Sequence, residues 1–244
     1  PWKSFKRICS MNIRSSENEK LDDLTLYGEP LHKALQSLEW VNRWFGNHRS
    51  VVKAILRVTG KEKKTWHIID LGCGGGDLAL AVAKSLSRHK IECTITGIDG
   101  NANTLAYAEK KCAAFNEISF LQADILDNQF TIQPCDILIS SHFIYHFSAD
   151  VLVDFLRNNL PAVSTAIIFS ELKRNRFAMR LFKFSSFLLP ISKLAKEDGL
   201  LAIKRSFSEK EWLAILQQAG IGTYSLQSVP LFRILLTSYP ARKI

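Results

Sequence analysis

Residues 68–80 read IIDLGCGGGDLAL and set four glycines, Gly72, Gly74, Gly75 and Gly76, between the aspartates Asp70 and Asp77. Glycine has no Cβ and tolerates positive φ, so a backbone built this way turns tightly and can lie directly against a ligand. The apolar run before the glycines and the helical pattern after them mark the point where a strand gives way to a helix, which is where open α/β sheets bind ligands. A dinucleotide loop is spaced G-x-G-x-x-G and sets a pyrophosphate on the helix N-terminus. Here the spacing is D-x-G-x-G-x-G with acids on both sides. That arrangement disfavours phosphate and favours a ligand carrying an ammonium and a sulfonium. Two more acids extend the pattern. Asp99 in TGIDGN is placed for the two hydroxyls of a ribose, and Asp124 in LQADILD for an adenine amino group. An acid at the end of each of three successive strands is more specific than the glycines alone, although aspartates also end strands simply as turn formers.

A second set of residues could move a proton. SSHFIYHF brings His142 and His146 after the expected fourth strand, and Glu171 closes the expected fifth. A histidine there could deprotonate a phenolic or enolic oxygen near neutral pH, with Glu171 orienting it or a substrate hydroxyl. The plain alternative is that both histidines pack beneath the next helix and Glu171 pairs with a lysine. Arg43 and Arg49 are candidates for holding a ligand carboxylate, with surface charge as the alternative.

The elements that must position these groups follow from periodicity. Leu31, Leu35, Leu38, Val41 and Phe45, then Val51, Val52 and Ile55, recur at helical spacing with a break at Gly46 and Asn47. From residue 65 the period changes. WHIIDLG, ECTITGID, ISFLQAD, CDILISS and TAIIFSEL are short β-branched runs separated by helical patterns, the form of βαβ units with a parallel sheet buried on both faces. In RSFSEKEWLAILQQAG, Ser208 and Glu211 have capping-box spacing and Gly220 ends the helix. TYSLQSV and FRILLTSY, separated by Pro230, read as a closing hairpin. Residues 174–196 are aromatic and basic, with Phe177, Leu181, Phe184, Leu188 and Ile191 on one stripe and Arg176, Arg180 and Lys183 on another. The sequence leaves open whether this segment lines a pocket, makes peripheral contact with an anionic membrane, joins two copies or packs as core.

Composition sets the outer bounds. The 244 residues, 47% hydrophobic and 23% charged, suit one ordinary folded domain. The net charge of +9 is compatible with nucleic acid, an anionic membrane or an acidic substrate, and equally with solubility. Cys9, Cys73, Cys93, Cys112 and Cys135 are scattered, which suggests neither a disulfide framework nor a metal-binding set and points to a reducing, cytoplasmic setting. No stretch reaches the roughly 20 apolar residues of a membrane span. Met11 reads as a natural start, which would make Pro1–Ser10 an upstream extension.

Taken together, Asp70, Gly72, Gly74 and Gly76, with Asp99 and with Asp124 beside Ile125, resemble the motifs of class I S-adenosylmethionine-dependent methyltransferases. The resemblance covers roughly residues 65–237. LDDLTLYGEPLHKALQSLEWVNRWFGN, SSHFIYHF, SELKRNRFAMRLF and RSFSEKEWLAILQQAG together are similar to small-molecule members related to those of quinone and polyketide-lipid biosynthesis. Where those relatives have a His-His pair, this chain reads Tyr145 and His146. The resemblance implies a Rossmann-like, doubly wound α/β fold: a mostly parallel seven-stranded sheet, an antiparallel last strand and helices on both faces. It implies S-adenosyl-L-methionine as cofactor, S-adenosyl-L-homocysteine as product, and a cofactor set of Asp70, Gly72, Cys73, Gly74, Gly76, Asp99, Gly100, Asp124, Ile125 and Ser140. The expected organisation is a flexible extension over 1–28 and a single domain over 29–244. Within the domain, 29–64 are helices, 65–172 the cofactor-binding core, 173–204 a substrate cover, and 205–244 the last helix and closing strands. The expected acceptor is a small apolar phenol or quinonoid, methylated on oxygen in the leading reading, with carbon or nitrogen as the accepting atom left open. Ser140-Ser141-His142-Phe143 does not match the [DN]-P-P-[YFW] pattern of enzymes that methylate base amino groups, which argues against that subclass. The Pro134-Cys135 pair comes at the front of the fourth run and not after it, so Cys135 reads as core and not as a nucleophile. An RNA or other nucleic-acid methyltransferase stays as the alternative. A non-catalytic cofactor-binding partner stays open. A nicotinamide oxidoreductase is disfavoured by the loop spacing and by the lack of a Tyr-x-x-x-Lys pair.

Overall fold

In the computed structural model, residues 11, 13–44, 46–60, 62–189 and 191–240 are described. The expected extension Pro1–Ser10, Cys9 within it, Phe45 of the helical pattern and the side chain of Leu188 lie outside the described part. The five β-branched runs form parallel strands: β1 Trp66–Leu71, β2 Cys93–Asp99, β3 Ile118–Gln122, β4 Cys135–Ser141 and β5 Val163–Leu172. The closing hairpin forms β6 Tyr224–Val229 and β7 Arg233–Ser238, with β7 antiparallel to both β5 and β6. The sheet order is β3-β2-β1-β4-β5-β7-β6.

Among the described residues eight α-helices surround this sheet: α1 Gly28–Trp44, α2 Asn47–Thr59, α3 Asp77–Arg88, α4 Ala102–Cys112, α5 Ala149–Asn159, α6 Arg176–Leu188, α7 Lys193–Arg205 and α8 Glu209–Gln218. Alternating strand residues feed two cores. Ile69, Leu71, Leu138 and Phe169 pack with α5 and α8 on one face, while Ile68, Ile95, Ile137 and Ile168 pack with α2 and α3 on the other. With both faces covered, a one-residue register slip exchanges the two cores instead of exposing one, so the strands carry no polar face. The expected capping box of α8 is present: Glu211 N donates to Ser208 Oγ, and Ser208 N donates to Glu211 Oε2 at 2.7 Å.

Two features depart from the sequence reading. The aromatic segment 174–196 is not one helix: α6 ends at Leu188, α7 begins at Lys193, and Arg174 is a buried pin that binds Glu211 and the carbonyls of Met11 and Ser206. Residues 13–27, read as part of an extension outside the domain, are packed on it. Arg14 donates to the carbonyls of Tyr145, Phe147 and Arg205 and lies over the Phe207 ring. Asp198 accepts from the backbone N–H groups of Lys20 and Leu21 at the start of a 3-10 turn, Lys20–Asp22. Asn101, which caps α4, donates to the carbonyls of Asp23 and Leu26. The segment is therefore a strap crossing from α7 to the end of β2. Among the described residues no helix is long and apolar enough to cross a membrane.

Candidate active site

The carboxyl ends of β1, β2 and β4 open into a cavity of about 790 Å³. At one end the glycine loop forms its floor. Gly72 holds φ +64°, and a Cβ there would come within 2.2 Å of the Phe143 ring, so this glycine is fixed by the close packing of the loop on the turn after β4. Gly74, at φ +50°, has no heavy atom within 4 Å of where its Cβ would point, and it lines the cavity. Its N–H donates to Asp99 Oδ2 at 3.0 Å, and Asn101 N donates to Asp99 Oδ1 at 3.0 Å, so the acid at the end of β2 is tied to the loop. Burial raises the Asp99 pKa and these two bonds oppose the rise.

Asp70 is almost wholly buried. Burial, then the charges of Asp77 and Asp99, hold its carboxyl well above the usual carboxylate range, and its Oδ2 has no hydrogen-bond partner among the described residues. Asp77 behaves oppositely. Burial pushes its pKa up, but His48, whose Nε2 lies 3.0 Å from its Oδ2, and Asn42, which donates to the same oxygen, keep it well below that range. Cys73, Gly100, Asp124 and Ile125 line the same end, with Asp124 Oδ1 accepting from Leu126 N at 2.9 Å.

Two expected cofactor residues do not reach the cavity wall. Ser140 is fully buried and its hydroxyl donates to the Leu71 carbonyl. Gly76 begins α3 at φ +73°, where a Cβ would crowd Phe120, Ala108 and Cys112. It shapes the loop from behind. Arg43 and Arg49 do not line the cavity either.

The three candidates for proton chemistry separate by environment. His146 lines the cavity, stacks on Tyr145 with ring centroids 4.5 Å apart, and sets Nδ1 3.0 Å from Oδ1 of Asp22 in the strap. Burial raises the Asp22 pKa, but the bonds from His146 and Arg205 outweigh it and bring it down to about 2, so Asp22 is ionised. A carboxylate on Nδ1 fixes the tautomer with that proton on Nδ1 and leaves Nε2 basic. His142 also lines the cavity, at φ +56°, but burial, with Arg233 and His48 adding to it, pushes its pKa down to about 3. It stays neutral, a poor base that can still take part in a hydrogen bond through its Nε2, which has no partner among the described residues. Glu171 does not line the cavity. Its Oε1 accepts from Phe143 N at 3.1 Å and Ile144 N at 3.0 Å, and burial raises its pKa to about 8 against those bonds. It pins the turn that carries His146.

Sequence reasoning missed the strap. Glu19, Asp22, Tyr145 and Arg205 form one cluster: Arg205 Nη1 lies 2.6 Å from Asp22 and 3.7 Å from Glu19, and Tyr145 Oη donates to Glu19 Oε2 at 3.2 Å. Glu19, Asp22 and His146 also lie within 4.8 Å of one another, a ligand-like set. Arg205 supplies the positive charge among them. The signal was there as Leu21 and Leu24, apolar residues set among the acids Glu19, Asp22 and Asp23. Leu21 lines the cavity, and Leu24 lies 3.0 Å from where a Cβ on Gly100 would be.

Comparison with solved structures places this geometry. A magnesium protoporphyrin IX methyltransferase from Synechocystis, solved with bound S-adenosylhomocysteine, superposes with a TM-score of 0.55 at 17% identity, over 98% of this chain and 95% of that one. A S-adenosylmethionine-dependent methyltransferase from Aquifex aeolicus gives 0.58 at 14% identity, over 88% and 100%. The pyocyanin biosynthetic protein PhzM gives 0.52 at 15%, over 78% of this chain, which spans only 54% of PhzM. At such identities the likeness is one of fold. No curated protein sequence matches the chain. A family described as a methyltransferase domain matches residues 62–221, from just before β1 to just past the end of α8, and the chain belongs to that family.

Proposed function

We propose that the chain transfers a methyl group from S-adenosylmethionine to the oxygen of a small, apolar phenolic or quinonoid acceptor. The observation that carries this reading is the meeting, in one cavity, of the acids at the ends of β1, β2 and β3 with a His146–Asp22 pair at the turn after β4. The cavity residues fit the cofactor. Asp70 offers a buried carboxyl oxygen that has no hydrogen-bond partner among the described residues and that a cationic group beside it would favour in its ionised form. Gly74 leaves open backbone, and Asp99 offers lone pairs to hydroxyls. When bound, the cofactor supplies an electrophilic methyl on a sulfonium.

The protein's own work is alignment, dehydration and proton removal. Ala178, Phe182, Ile191, Ala202 and Ile203 give the acceptor end apolar walls, and the strap closes over the cavity. A volume of about 790 Å³ is at the upper end of the usual range of ligand pockets, roughly 300–1,000 Å³, which suits two ligands side by side. His146, held by Asp22, accepts the acceptor's hydroxyl proton, and neutral His142 orients the acceptor through a hydrogen bond.

Calorimetric titration with S-adenosylmethionine and S-adenosylhomocysteine, wild type against Asp99→Ala, tests the cofactor half. Micromolar binding lost in the variant is expected, and no binding by the wild type would sink the reading. With catechol, phenol and quinol acceptors, His146→Ala should lose about a hundredfold in rate with cofactor affinity unchanged.

A further inference from the structure

Helix α6 carries two unlike faces. At about 100° per residue, Ala178, Phe182 and Ser185 fall on its inner arc, and these line the cavity. The outer arc holds Phe177, Phe184 and Phe187, which are 63%, 69% and 85% exposed, and the exposed cations border them, with Arg180 between Phe187 and Phe184 and with Arg176 and Lys183 on the far side of Phe187. Leu181 belongs to both arcs, exposed and lining the cavity. No acidic residue occurs in the helix. The apolar surface continues onto the tip between β6 and β7. The Phe232 ring centroid lies 5.6 Å from that of Phe177, Leu231 is exposed, and both tip residues hold positive φ, a conformation bulky side chains rarely adopt.

An exposed stripe of phenylalanines bordered by Arg176, Arg180 and Lys183 has the make-up of an interfacial helix, whose rings enter a bilayer at headgroup depth while its cations meet lipid phosphates. The absence of acid from the helix and a net charge of +9 select an anionic one. We propose that the outer face of α6, with the tip Leu231–Phe232, is a docking surface for an anionic lipid bilayer. Docked in this way, α6 stands between the lipid and the cavity, and a lipid-soluble acceptor reaches the cavity past Leu181. The docking does not depend on the proposed methyl transfer, and it is read without cofactor or acceptor.

The test is vesicle co-sedimentation of the full chain with phosphatidylcholine alone and with about a third phosphatidylglycerol, using wild type, Phe184→Glu/Phe187→Glu and Arg180→Glu/Lys183→Glu. Unchanged melting temperatures show that the variants fold. Wild type should pellet with the anionic vesicles, and partitioning should fall at least about tenfold in each double variant and on pure phosphatidylcholine. Equal binding to both vesicle types, equal binding by wild type and variants, or no binding at all would overturn the proposal. So would a wild-type dimer in sedimentation equilibrium that the phenylalanine variant splits while neither protein pellets, which would make the face a contact between two copies.

Discussion

The two ends of the cavity are built by different means. The cofactor end comes from strand termini and one loop: Asp70, Gly72, Gly74 and Asp99 lie within 30 residues of each other, on backbone fixed by a sheet buried on both faces. The acceptor end is assembled from segments far apart in sequence. Asp22 meets His146 and Arg205 through side chains, and Asp198 accepts the backbone N–H groups of Lys20 and Leu21. A site on rigid strands tolerates little change in backbone, whereas a site closed by polar bonds between distant segments is sensitive to charge and protonation.

Replacing Gly72 with alanine probes the first kind of construction and should have the largest effect. Its Cβ would overlap the Phe143 ring at positive φ, so strain and overpacking together should cost roughly 3–4 kcal/mol, a drop of about 10 °C in melting temperature. Gly74→Ala meets the same dihedral strain without the clash, and should cost about 1 kcal/mol in stability while weakening cofactor binding. Equal melting temperatures for the two variants would break the distinction between a glycine fixed by packing and one facing a ligand.

Asp22→Asn probes the second kind. Asparagine at 22 no longer holds a negative charge on Nδ1 of His146, and kcat should fall about a hundredfold with S-adenosylhomocysteine affinity held within about threefold. The pH–rate profile should move with it, and Asp22→Glu should recover part of the rate, neither of which a purely structural role for Asp22 would produce. Loss of cofactor affinity in step with kcat would show that the strap serves the whole cavity and not the base.

The same contrast explains what could be read from the sequence. The strands, their order of appearance, the capping box and the acids at strand ends are local patterns of period, turn residue and spacing, and each is legible in a short window. The strap is not. Glu19 and Asp22 look like solvated charges in a polar stretch, and only the fold reveals Arg205, 183 residues on from Asp22, as their partner. Glu171 was legible as a strand-end acid but not in its role, because the N–H groups that claim it come from the turn after β4. The break between α6 and α7 was hidden by an apolar stripe that continues across Pro190 in sequence.

Glu19→Gln should have the smallest effect, and one confined to a pH window. Glu19 and Asp22 sit in one turn but are shifted in opposite directions. Asp22 is lowered to about 2, so its contribution is intact above its ordinary value of 3.8 and is lost as pH falls toward 2. Glu19 is raised to about 8, by burial first and by Asp22 next, with Arg205 opposing. The folded state therefore holds the Glu19 proton more tightly than the unfolded chain, and the stability this gives is complete below 4.5 and lost as pH rises through about 8. Glutamine is neutral throughout and can still accept the Tyr145 hydroxyl. Its melting temperature should match wild type near pH 5 and exceed it by several degrees near pH 9. Because Glu171 titrates in both proteins, the difference between the two curves isolates Glu19. Parallel curves from pH 5 to 9 would mean that the strap opens before Glu19 ionises, which would make it a mobile cover instead of a fixed wall of the acceptor end.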